Sequence, residues 1–163
     1  MRTILAAVTA AAMSLALAGP AAAFDQRNPA DVLSVINASG ATATMQKPAG
    51  KAPYIEGRSG QLTFETQFYN CNEAKSLCGT VVYTANWDTK DVSLQEINGW
   101  NQWVFLCPAY LTSDGQPMLW YGLKAFADDS REQATASFED WQDCLTQFHD
   151  FVGDPQAFLK AHM

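Results

Sequence analysis

Four cysteines, two histidines and a row of carboxylates are the side chains of this 163-residue chain whose types and spacing suit chemistry. Cys71, Cys78, Cys107 and Cys144 lack both the paired close spacing of a zinc site and the two-residue gap of a redox dithiol. Cys71 and Cys78 instead bracket a six-residue polar loop, Asn-Glu-Ala-Lys-Ser-Leu, between two strand-like runs. Facing ends of a hairpin come within bridging distance, and closing so short a loop is worth about 2–3 kcal/mol. Cys107 and Cys144 are then left either to join a strand to a helix or to stay as two separate buried thiols. His149 follows Cys144 by five residues, about 140° around a helix, so the two do not share a face as a nucleophile pair would. His162 is the penultimate residue, where chains fray. Glu139, Asp143 and Asp150 do share a helical face. Such a row suits calcium binding or an acid–base hydrolase using Asp143, and equally a plain solvated surface. No nucleophile elbow, zincin helix or phosphate-cradling glycine loop is present. The expectation is therefore no catalytic residue, no metal site and no cofactor.

The elements that must position these groups follow from periodicity. Asn28-Pro29 opens a short helix with Val32, Leu33, Val35 and Ile36 on its apolar stripe, and Gly40 ends it. A strand is expected over Thr42 to Gln46, then a Pro/Gly loop, and Tyr54-Ile55-Glu56 leads into a turn at residues 57–60. Leu62, Phe64, Thr66 and Phe68 alternate with polar residues, and Val81, Tyr83, Ala85 and Trp87 repeat the pattern, giving two half-buried strands around the Cys71–Cys78 turn. Ser93-Leu-Gln-Glu96 is a capping box that starts a helix, although Asn98-Gly99 within it is a turn signal. Strands are expected over Trp103 to Thr112 and Met118 to Phe126, flanking Asp114-Gly115, with Pro108 placing the first at a sheet edge. Ala134, Phe138, Trp141, Leu145, Phe148 and Val152 recur at helical spacing after the caps Asp129 and Ser130. A short helix follows Asp154-Pro155. The expected class is α+β, an antiparallel sheet with packed helices in the order α-β-β-β-α-β-β-α plus a small tail.

Residues 1–23 read as an exported protein's leader. Arg2 is followed by an Ala/Leu-rich run without another charge until Asp25, and Ala21-Ala22-Ala23 supplies a cleavage site after Ala23. The alanine-rich run broken by Gly19-Pro20 argues against a stable membrane anchor. Residues 24–163 then form one domain, periplasmic or secreted, in an oxidising compartment where four cysteines are most simply a disulfide framework. That domain holds nine basic and seventeen acidic residues, a net charge of −8. The whole excess lies after residue 87, where twelve acids face four bases, which excludes nucleic acid as a partner.

The five tryptophans are the strongest remaining lead. Trp87 and Trp141 fall on apolar faces, whereas Trp100 and Trp103, beside Asn98, Asn101 and Gln102, can edge a groove for a peptide or a small apolar ligand. The candidate partner groove is thus Trp100, Asn101 and Trp103. The Cys71–Cys78 hairpin, Ile97-Asn98-Gly99-Trp100-Asn101, Asp114-Gly115-Gln116-Pro117 and the closing amphipathic helix together resemble the YbjN family, bacterial proteins described as sensory transduction regulators. The likeness spans about residues 28–152. It implies a fold similar to that of type III secretion chaperones and a non-enzymatic regulatory or binding role, with no catalytic residue to carry over. The expected function is a chaperone-like or regulatory module holding a protein or peptide, alone or as a homodimer. A small-ligand carrier, which requires an enclosed apolar cavity, is the alternative, and a carboxylate hydrolase ranks below it.

Overall fold

The computed structural model describes residues 23–162; the expected leader lies outside them, apart from Ala23. Helix α1 (Pro29–Ala38) is followed by strands β1 (Thr42–Gln46), β2 (Tyr54–Ser59), β3 (Leu62–Cys71) and β4 (Cys78–Asn86). Helix α2 (Leu94–Trp103), strands β5 (Ala109–Leu111) and β6 (Pro117–Lys124), and helices α3 (Arg131–Gly153) and α4 (Pro155–His162) complete the chain. The six strands make one antiparallel sheet in the order β1-β2-β3-β4-β6-β5. The expected α+β class and succession of elements are present. One element is added: the lead-in at Tyr54 is the strand β2, carried through Gly57 by pairing on both sides.

Period two divides the sheet cleanly. Ile55, Phe64, Thr66, Phe68, Val81, Tyr83, Ala85, Leu119 and Tyr121 point to one face and are buried there. Helix α3 lies on that face, its buried stripe Ala134, Phe138, Trp141, Leu145 and Phe148 matching the predicted spacing. Phe64, Tyr83, Phe138 and Trp141 form an aromatic cluster with ring centroids 5.6–6.3 Å apart. Gly57 is required beside it, because a side chain there would meet the Phe64 ring at 2.3 Å. Burying Tyr83 in this cluster raises its phenol far above the ordinary range and keeps it neutral.

Caps set the helix boundaries. Ser93 and Ser130 each close a capping box, with Glu96 and Gln133 respectively. The Ser93 backbone N–H, helped by Gln156 and the Ser93 hydroxyl, holds the Glu96 carboxyl below its usual range. Gly99, which opposed the helix in the sequence, has a packing reason: a Cβ there would lie 2.8 Å from a methyl of Leu159, where α4 rests on α2. Trp100, Phe148, Phe151 and Phe158 join α2, α3 and α4 in a second aromatic cluster.

Candidate functional site

The strand expected from Trp103 is shorter than its apolar run. Helix α2 continues to Trp103, residues 104–108 form a loop, and β5 is three residues long. Three anchors hold that loop. The indole N–H of Trp100, on a fully buried ring, donates to the Cys107 carbonyl at 2.9 Å. Cys107 is bonded to Cys144 of α3, joining the sheet edge to the helix layer. The Asn101 amide makes both bonds of a strand partner: its Nδ2–H donates to the Ala109 carbonyl at 2.9 Å, and its Oδ1 accepts from the Ala109 N–H at 2.8 Å.

Between these anchors the chain turns its apolar side chains outward. Phe105 is 88 % exposed, with Leu106 at 47 % and Trp103 at 45 %. Exposed apolar side chains clustered in this way mark a contact surface more often than isolated ones do. The expected groove of Trp100, Asn101 and Trp103 is therefore corrected: Trp100 belongs to the core, the half-buried Asn101 has its amide committed to the Ala109 backbone, and Trp103 is exposed. Phe105 and Leu106 were missed because Trp-Val-Phe-Leu reads as a strand. The signal against a strand is the run's failure to alternate before Pro108.

A second group of exposed aromatic side chains lies on the open face of the sheet. Tyr110 of β5 and Trp120 of β6 are exposed there, as is Tyr69 of β3, and with Val82 and Met118 they line a hollow of about 420 Å³. The Trp120 indole lies over Gly122, whose missing side chain makes room for it. The Tyr110 hydroxyl donates to the Met118 sulfur at 2.8 Å. These aromatic rings are contact surface, with no carboxylate, histidine or thiol among the residues that line the hollow.

The geometry also disfavours one mode of binding. On each edge of the sheet one residue's backbone is paired by an asparagine side chain. Asn37, from the end of α1, pairs with the Ala43 N–H and carbonyl of β1 at 2.9 and 3.4 Å, as Asn101 pairs with Ala109 of β5. Edge strands blocked in this way resist addition of a further strand.

The remaining candidates are placed elsewhere. Cys71 and Cys78 stand directly opposite in the β3–β4 register and are bonded, as their spacing predicts. Glu139, Asp143 and Asp150 are exposed on α3 and do not line the hollow on the sheet face. His149 is exposed, with its Nδ1 3.4 Å from the donating Trp87 indole nitrogen, and Cys144 is tied up in its disulfide. His162 is exposed on α4 and stacks on Phe158. No group of side chains suited to a metal ion occurs among the described residues.

Residues 28–154 match the profile of the family YbjN, described as "Putative bacterial sensory transduction regulator". The chain belongs to the YbjN family. No curated protein and no solved structure matches it. The family description is regulatory rather than catalytic, in line with a site built only of contact surface. In this YbjN chain the resemblance-bearing Ile-Asn-Gly-Trp-Asn run has a structural use: Gly99 seats α4, Trp100 and Asn101 anchor the loop. Two disulfides fit an oxidising compartment. Among the described residues, no helix is long and apolar enough to cross a membrane.

Proposed function

We propose that this YbjN protein is a non-enzymatic regulatory module of the periplasm that works by holding a protein partner on its β5–β6 edge. The observation that carries the reading is the loop with Phe105 at 88 % exposure, fixed between a buried tryptophan, a disulfide and an asparagine pair. An exposed apolar loop that is also rigid loses little conformational entropy when a partner covers it. Tyr110, Trp120 and Tyr69 extend the contact onto the sheet face. The blocked sheet edges direct recognition to side chains rather than to backbone pairing. Export is supported by the leader-like residues 1–23 and the disulfides. A carrier enclosing its ligand has less support, because the hollow on the sheet face opens onto solvent.

The test is site-specific photo-crosslinking in cells producing the exported protein. A benzophenone side chain at position 105 should give a discrete protein adduct. The same group at exposed Thr146 on the acidic face of α3 should give none. An adduct of twice the monomer mass identifies the partner as a second copy. Equal adduct patterns at the two positions, or no adduct at 105, would refute the proposed surface.

A further inference from the structure

On the opposite side of the molecule a second hollow, of about 430 Å³, lies between the start of α1, the β1–β2 loop and the tip of the β3–β4 hairpin. Lys47, Lys51 and Lys75 line it, together with apolar Leu33 and Met45, and no acidic residue does. Three of the nine basic residues after the leader, all exposed, thus line one hollow of a domain whose net charge is −8. None of the three ammonium groups has a salt-bridge partner among the described residues, where the single ion pair is Arg27–Asp25. Gathering unpaired like charges is unfavourable, and a bound anion relieves it. Leu33 and Met45 pack against the core, so the floor of the hollow is apolar and fixed.

Lys75 adds a second, independent mark. Its φ of +56° lies in the left-handed region, which glycine and asparagine occupy far more readily than lysine. The turn that imposes this φ is tightly specified. The Asn72 carbonyl accepts from the Lys75 N–H, and the Asn72 side chain accepts from the N–H groups of Ser76 and Leu77. The Cys71–Cys78 bond closes the base of the hairpin, and the Cys78 N–H donates to the Arg27 carbonyl just before α1. The base of the hairpin is therefore tied to the start of α1, and the turn at its tip fixes the backbone from which Lys75 projects.

We propose that this hollow is a binding site for a small organic phosphate, its phosphoryl group among Lys47, Lys51 and Lys75 and its apolar part on Leu33 and Met45. Phosphate fits better than carboxylate because lysines act as compact point charges and the site has no arginine fork to match a planar carboxylate. The site is separate from the loop surface of the proposed function, and either can fail without the other.

The experiment titrates the purified, disulfide-bonded protein with phenyl phosphate, following the methyl resonances of Leu33 and Met45 by NMR. Saturation with a Kd on the order of 0.1–1 mM at low salt is expected, weakening as salt shortens the screening length. Inorganic phosphate should bind several-fold more weakly, and benzyl alcohol should not bind. Lys47→Gln and Lys51→Gln should each weaken binding about three- to tenfold, while Lys90→Gln, outside the hollow, should leave it unchanged. Lys75→Asn separates binding from folding: it should weaken binding equally while the melting temperature stays the same or rises, since asparagine suits the left-handed turn. The proposal is overturned by absence of saturation at about 10 mM, by inorganic phosphate binding as well as phenyl phosphate, or by an equal effect of Lys90→Gln. Retention on phosphatidylglycerol vesicles that phenyl phosphate does not compete away would also overturn it, by making the lysines a lipid-surface contact.

Discussion

Removing the Asn101 amide tests how the apolar loop is held. In Asn101→Ala, bonds of 2.9 and 2.8 Å to the Ala109 carbonyl and N–H are lost together. Each is worth about 1 kcal/mol net, and Ala109 is only 5 % exposed, so water replaces them poorly. The desolvation cost of leaving unpaired backbone groups there adds about 1–2 kcal/mol, for a total of about 3–4 kcal/mol. Asn101→Asp keeps an acceptor for the Ala109 N–H but sets a carboxylate oxygen against the Ala109 carbonyl, so it should be nearly as damaging. Asn37→Ala is the matched control at the other edge. One of its bonds is 3.4 Å long and its surroundings are exposed, so about 1 kcal/mol is expected. The assay is urea unfolding at neutral pH with both disulfides intact, read by tryptophan fluorescence and far-ultraviolet circular dichroism. An unchanged m-value shows that the shift is one of stability alone. An Asn101→Ala protein within 0.5 kcal/mol of the wild type, or less affected than Asn37→Ala, would refute the account of Asn101 as a strand partner.

Three further outcomes follow from the same structure. The Cys107–Cys144 bond spans 37 residues and Cys71–Cys78 spans 7. Replacing each pair by serines should therefore cost about 3.8 and about 2.4 kcal/mol respectively on the loop-entropy model, and calorimetry giving the reverse order would contradict it. The Thr66 hydroxyl is buried without a hydrogen-bond partner. Thr66→Val should accordingly stabilise the protein by about 1 kcal/mol, and a drop in denaturation midpoint would show that the hydroxyl is satisfied. Glu96 has its pKa lowered on folding, chiefly by the Ser93 N–H. Its contribution is fully present above the unfolded value of 4.5 and is lost as pH falls through the lower folded value. Glu96→Gln should lose stability at pH 7 and show a shallower decline below pH 4.5 in a pH series of urea midpoints; parallel curves for the two proteins would exclude this role.

The local part of this fold was legible in the residues. Period-two alternation placed Phe64, Phe68, Val81, Tyr83 and Ala85 on one face, and helical spacing placed Phe138, Trp141, Leu145 and Phe148 against them. Ser93 and Ser130 announced two helix starts. Cys71 and Cys78, seven residues apart across one turn, had their partner within the same hairpin. In each case the pattern that assigns the element, its apolar face or its hairpin partner lies within a few turns of chain, where spacing decides geometry.

What only the tertiary structure decided rests on contacts between residues distant in sequence, or on where a continuous apolar run changes conformation. Trp-Val-Phe-Leu has no period to separate helix end, loop and strand. It is divided by anchors, the Trp100 indole, the Asn101 amide and the Cys144 sulfur. The same anchors decided that Trp100 is core while Phe105 faces solvent, since residue type alone sets no direction for an aromatic ring. Lys47, Lys51 and Lys75 sit on two loops that meet only because the sheet brings β1 and the β3–β4 hairpin to the start of α1. Sequence by itself determined the layers of this protein. Folding decided which of its apolar and charged side chains were left facing outward together, because that depends on long-range closure of the chain.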